Sequence, residues 1–188
     1  MNAISVSARY DRLSILLHWL TALLVIALWA LGESIDLFPK GAPRIGARST
    51  HIACGALLGL VLLWRAWWRR SGGVHLQPAD AGWMGAAATL THRLLYVLLF
   101  ATVLLGLTNA WVRGDQLFGL YKIPSFAPDD RGLRESIEDF HGFAANTLLI
   151  VAGLHAAAGL FHHLVLKDAV LRRMLPRRSA NDDGELRA

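Results

Sequence analysis

The chain has 188 residues, of which 54% are hydrophobic and 18% charged, with a formal net charge of +5 at pH 7. That balance excludes an ordinary soluble domain and a disordered chain. The lone cysteine excludes an intrachain disulfide and any zinc or iron–sulfur centre built from cysteines.

In chain order, four apolar runs are long enough at ~20 residues to cross a bilayer as helices: 13–32, 50–68, 90–112 and 140–166. The first is too long for a signal-peptide core and reads as an uncleaved span. A basic stretch, Lys40, Arg44 and Arg48, precedes the second, which contains Cys54. "PDDRGLRESIEDFHGF" precedes the fourth. Leu133, Ile137 and Phe140 recur there at helical spacing after a start signal at Pro128 and Asp129, so this helix is expected to begin outside the membrane. The connecting loops are too short and too polar to bury a second core. The expected fold is an all-α membrane protein, a four-transmembrane-helix bundle forming one domain over 1–188. The chain has no CxxCH, no Walker loop, no GxGxxG opening a helix and no solenoid repeat.

Four spans place both termini on one side. Of nineteen Lys and Arg, that side takes twelve: Arg9, Arg12, Arg65, Arg69, Arg70, Arg93, Lys167, Arg172, Arg173, Arg177, Arg178 and Arg187. The other side takes the remaining seven, together with eight of the fourteen acids. Both termini are therefore expected in the cytoplasm of a bacterial inner membrane. The basic "RRMLPRR" tail then suits anionic lipid, and no nucleic-acid role is expected.

The same topology gives each histidine a depth. His18 lies ~8 Å inside the cytoplasmic face. His51 and His141 each open a helix entering from the periplasm and share a level. His155 follows His141 by fourteen residues, ~21 Å along the same helix and on the same face, which brings it to the level of His18. Two pairs result, His51 with His141 and His18 with His155. Ionisable groups inside a membrane are costly unless they work or find partners. Opposed imidazoles from neighbouring helices suit the two axial positions of a haem b iron, whereas zinc or copper requires three or four ligands at one level. The small residues Ala53, Gly55, Ala56, Gly59, Ala152, Gly153, Ala156, Ala157 and Gly159 would leave room for a porphyrin, and equally suit close helix packing. His92 lies near the cytoplasmic level and competes with His18 on these grounds. His75 falls in a polar loop.

"RYDRLSILLHWL", "FPKGAPRIGARSTHIACG", "HGFAANTLLIVAGLHAAAGL" and "KDAVLRRMLPRR" resemble the prokaryotic cytochrome b561 family over almost the whole chain. The resemblance implies two b haems with bis-histidine ligation, falling on His18, His51, His141 and His155, and it favours His18 over His92. It also implies an oxidoreductase that takes electrons from superoxide in the periplasm and passes them to ubiquinone.

His162, seven residues past His155 and ~10 Å nearer the cytoplasm, is the candidate for hydrogen bonding a quinone carbonyl; with His163, its alternative is to anchor the helix end. Lys40, Arg44 and Arg48 are candidates for steering an anion such as superoxide, for pairing with haem propionates, or for contacting lipid phosphates. Expected partners are membrane lipid, the quinone pool, superoxide or another periplasmic donor, and a second copy of the chain. Two other functions fit the pattern: a haem-bearing subunit relaying electrons from a periplasmic dehydrogenase or hydrogenase to quinone, and a transporter without haem.

Overall fold

A computed structural model describes residues 9–77 and 82–176; Arg177, Arg178 and Arg187 of the basic tail lie outside them. Four long helices dominate: α1 (Arg12–Ser34), α2 (Ala42–Ser71), α3 (Gly82–Arg113) and α4 (Arg131–Phe161). Each is long and apolar enough to cross a membrane, and the chain is an all-helical membrane bundle. A small antiparallel hairpin, β1 (Gln116–Leu117) and β2 (Tyr121–Lys122), joins α3 to α4.

The helices overrun the apolar runs that predict them. Helix α2 starts at Ala42 with a proline in its first turn, where the missing N–H is no loss. Asp130 caps α4 by accepting from Leu133 N at 2.8 Å, one residue later than the expected start signal. His51 and His141 therefore do not open their helices; they lie nine and ten residues inside, which keeps them at a shared level.

Consecutive helices pack against one another and α1 closes the ring on α4 more loosely, so each helix runs antiparallel to its neighbours. The face where the described chain begins and ends is called proximal here, and the opposite face distal. One register runs through all four helices. His18, Val25 and Gly32 are spaced by seven on α1, as are His51, Leu58 and Arg65 on α2, His92, Leu99 and Gly106 on α3, and His141, Leu148 and His155 on α4. Seven residues fall within ~20° of two whole turns, so each triplet faces one way. The central members Val25, Leu58, Leu99 and Leu148 are all buried and meet in one apolar cluster with Leu28 and Leu62.

Each face is tied down. On the distal side the buried Ser49 hydroxyl donates to Gln116 O at 3.0 Å and accepts from Phe118 N at 2.8 Å, docking the hairpin on α2. Gly114 turns the chain into the hairpin with φ +67°, and a Cβ there would sit 3.0 Å from Ser125 Cβ. On the proximal side Asp11 holds the start of α1 against the end of α2: its carboxylate accepts from Ser14 N, Ser14 Oγ, Trp68 Nε1 and Val74 N at 2.7–3.1 Å. Burial alone would raise its pKa, but these four hydrogen bonds outweigh burial and hold the carboxyl below the usual range.

Candidate functional site

Above and below the central layer, the register assembles two layers of different chemistry. The distal layer is Gly32, His51, Gly106 and His141; the proximal layer is His18, Arg65, His92 and His155.

In the distal layer the His51 and His141 rings lie 6.1 Å apart between centroids, nearly perpendicular. His141 Nδ1 is 3.1 Å from the Thr102 carbonyl oxygen. A carbonyl only accepts, so Nδ1 carries the proton and the Nε2 lone pair is left for a metal. The Nδ1 of His51 is buried with no hydrogen-bond partner among the described residues, and the Leu28 carbonyl lies beside this ring.

In the proximal layer the His18 and His155 rings are 6.2 Å apart. His92 approaches His155 more closely, with centroids 5.2 Å apart. Arg65 Nη2 lies 3.2 Å from His18 Nδ1. A guanidinium only donates, so this Nδ1 accepts and the proton of a neutral ring stands on Nε2. The tautomer is thus the reverse of His141. Arg65 also lies over the Tyr96 ring at 5.3 Å. Among the described residues no three His, Cys, Asp or Glu side chains converge as a metal site.

These separations test the fit of a haem iron. With ~2 Å per metal–nitrogen bond and about 1 Å from nitrogen to ring centre, two imidazoles on opposite sides of one ion have centroids about 6 Å apart. Both His51–His141 and His18–His155 meet that spacing, while His92–His155 is too close for it. The distal tautomer suits ligation as it stands. In the proximal layer, ligation through His18 Nε2 requires Arg65 to release Nδ1.

Beyond His155 the α-helix loosens into a π turn, His162–Leu166, and the chain reverses at Lys167 with φ 56°. The reversal carries Asp168 back so that its Oδ2 lies 2.6 Å from His162 Nδ1. Burial alone would raise the Asp168 pKa, but the bonds from His162 and Val170 N outweigh it and lower it. His163 faces outward and is exposed, as is His75.

The distal basic stretch is less bare than its sequence. Arg44 pairs with Asp36 at 3.2 Å and donates to two backbone carbonyls. Arg48 reaches Asp115 at 3.7 Å, and Arg113 shares that carboxylate. Burial raises the Asp115 pKa, and the two guanidinium groups oppose that shift. Lys40 has no ion pair among the described residues.

Gly55, Gly59, Gly153 and Gly159 are among the small residues that would leave room for a porphyrin or serve close helix packing. A Cβ on Gly55 or Gly153 meets nothing within 4 Å, and one on Gly59 meets Val103. The glycines that touch histidines are Gly32 and Gly106. Sequence reading missed them, and also missed Arg65 and Asp168, although the seven-residue register marks the first three.

A family described as prokaryotic cytochrome b561 matches residues 9–177. A cytochrome b561 homolog of Escherichia coli K12 is 31% identical over 173 residues, covering 90% of this chain and 98% of that protein. A probable superoxide oxidase of Yersinia pestis is 31% identical over 173 residues, covering 90% and 97%. A second cytochrome b561 homolog of E. coli K12 is 28% identical over 190 residues, covering 96% and 98%.

Proposed function

The chain belongs to the prokaryotic cytochrome b561 family, a family of membrane electron-transfer proteins with b-type haem, and from that premise we propose that it holds two haems and carries electrons from superoxide on the distal side to ubiquinone on the proximal side. The observation that carries this reading is the pair of histidine couples with centroids 6.1 and 6.2 Å apart, one in each outer layer. His51 and His141 would hold the distal haem, and His18 and His155 the proximal one. When bound, the haem supplies reversible one-electron chemistry at its iron.

The chain's own residues do the rest. Thr102 O fixes the His141 tautomer. The closed leucine and valine layer keeps water from passing between the two couples. Lys40, with the partly compensated Arg44 and Arg48, biases anions toward the distal face. His162, whose Nδ1 is paired with Asp168, is the candidate for hydrogen bonding a quinone carbonyl and exchanging a proton with it. The distal face is periplasmic and the proximal face cytoplasmic in an inner membrane, following the charge asymmetry. Superoxide as donor is favoured by the similarity to the probable superoxide oxidase of Yersinia pestis.

The test is reduction of the purified protein by superoxide, with and without added ubiquinone, alongside haem content in four variants. His51→Ala or His141→Ala should remove mainly one haem, and His18→Ala or His155→Ala mainly the other. A haem-to-protein ratio near one in the parent, or no reduced-haem band on exposure to superoxide, refutes the proposal.

A further inference from the structure

The two distal glycines stand in matching places. A Cβ on Gly106 would lie 2.9 Å from His141 Cε1 and 3.3 Å from its Nδ1. A Cβ on Gly32 would lie 3.2 Å from His51 Cε1 and 3.6 Å from its Nδ1. Each glycine also sits four residues after the carbonyl its histidine addresses: Gly106 after Thr102, Gly32 after Leu28. In a helix the residue at i+4 lies one turn above carbonyl i and flanks the approach to it. With hydrogen there, an imidazole edge can lie close against the helix beside the carbonyl; with a methyl the ring must shift, by more at Gly106 than at Gly32. The geometry repeats on two helix pairs, α2 against α1 and α4 against α3.

We infer that Gly32 and Gly106 are positioning residues, notches that let the His51 ring lie close against α1 beside the Leu28 carbonyl and the His141 ring close against α3 on the Thr102 carbonyl, so that each Nε2 would be left to hold a haem iron. This rests on the ligand assignment above. The proximal layer has no such notches: Arg65 and His92 occupy the matching positions beside His18 and His155. The notch is therefore specific to the distal couple, and a carbonyl-bonded imidazole donates more electron density to its metal than an unbonded one.

Gly59 supplies the control. Its added Cβ would meet Val103 Cγ1 at 3.2 Å, the same clearance as Gly32 to His51, with no histidine involved. Gly32→Ala, Gly106→Ala, Gly59→Ala and His141→Ala are purified and compared by haem content, low-spin visible and EPR spectra, and redox titration. Gly32→Ala and Gly106→Ala should each shift the midpoint of one haem to more positive potential and perturb its low-spin signal, with retention of that haem weakened roughly 10–100-fold, while Gly59→Ala leaves both haems as in the parent. If Gly106→Ala does not accumulate, the milder Gly32→Ala carries the comparison. If His141→Ala loses a haem but the two glycine variants match Gly59→Ala, the positioning role is wrong and the ligand assignment stands. If His141→Ala keeps both haems unchanged, the ligand assignment falls and the notch falls with it.

Discussion

Arg65 is a permanent charge placed beside one histidine couple only, and its removal should move one haem potential and spare the other. Its Nη2 is 3.2 Å from His18 Nδ1, and the His18 and His155 rings are 6.2 Å apart. A metal midway between the rings is then roughly 8 Å from the charge. At an effective dielectric constant of ~20 the interaction is about 2 kcal/mol. A one-electron couple moves ~59 mV per ~1.4 kcal/mol, so the full effect is ~90 mV, and partial hydration near the membrane edge reduces it toward ~40 mV. A nearby cation favours the reduced haem, which carries one positive charge fewer, so the sign is negative on removal. Arg65→Gln keeps a polar side chain at this position and deletes the charge, whereas Arg65→Lys retains the charge. Redox titration of the purified protein, followed in the visible haem bands, should show one midpoint falling by ~40–90 mV in Arg65→Gln and little movement in Arg65→Lys. An unmoved or more positive midpoint in Arg65→Gln would refute the electrostatic reasoning.

Asp11→Ala removes four hydrogen bonds, two that cap α1 at Ser14 and two that tie it to Trp68 and Val74 at the end of α2, and should cost about 1–2 kcal/mol, seen as a lower melting temperature in detergent. Because the folded carboxyl titrates below the ordinary aspartate value of ~3.9, its contribution is complete above that pH and declines as the pH falls further; the gap between parent and variant should be wider at pH 7 than at pH 3, and an unchanged gap counts against the cap. His162→Ala should keep both haems and slow electron exchange with quinone, and Asp168→Asn should do so more weakly; quinone kinetics equal to the parent in both would leave His162 as a helix-end anchor. Haem reduction by superoxide should slow as salt rises and the Debye length shrinks from ~10 Å at 0.1 M to ~3 Å at 1 M. Since Arg44 and Arg48 are paired with carboxylates, Lys40→Gln alone should reproduce most of the loss seen when Lys40, Arg44 and Arg48 are all changed to Gln, and a Lys40→Gln variant as fast as the parent at low salt would end the steering argument.

The parts of this molecule that depend on periodicity and depth were legible in the sequence. Four apolar runs set four helices, and counting residues from each end puts His51 level with His141 and His18 level with His155, because a helix rises a fixed distance per residue. Helix ends were less legible, since α2 and α4 continue into water on caps and a first-turn proline whose effect is local and small beside the hydropathy signal. Contacts across sequence were not legible at all. Arg48 finds Asp115 only because the β1–β2 hairpin docks on Ser49, and nothing near Arg48 in the chain foretells it. Asp168 is close to His162 in sequence, yet an undistorted helix would carry it away; only the π turn and the left-handed Lys167 bring it back.

The seven-residue register also bears on why electrons and protons would follow different routes. Successive members of each triplet are ~10.5 Å apart along the helix, so the outer layers are ~21 Å apart. Between them Val25, Leu58, Leu99 and Leu148 are closed together with Leu28 and Leu62, and none of these side chains can donate, accept or hold a proton. A proton entering from one face has no relay through that layer, and a hydrated ion would have to shed its water there at a cost of several kcal/mol. Electron transfer needs no such relay, only redox centres held rigidly on either side. If a quinone is reduced at the proximal end, as proposed above, its protons would be drawn from the proximal solvent, and His162, paired with Asp168 through Nδ1, is the candidate to deliver them.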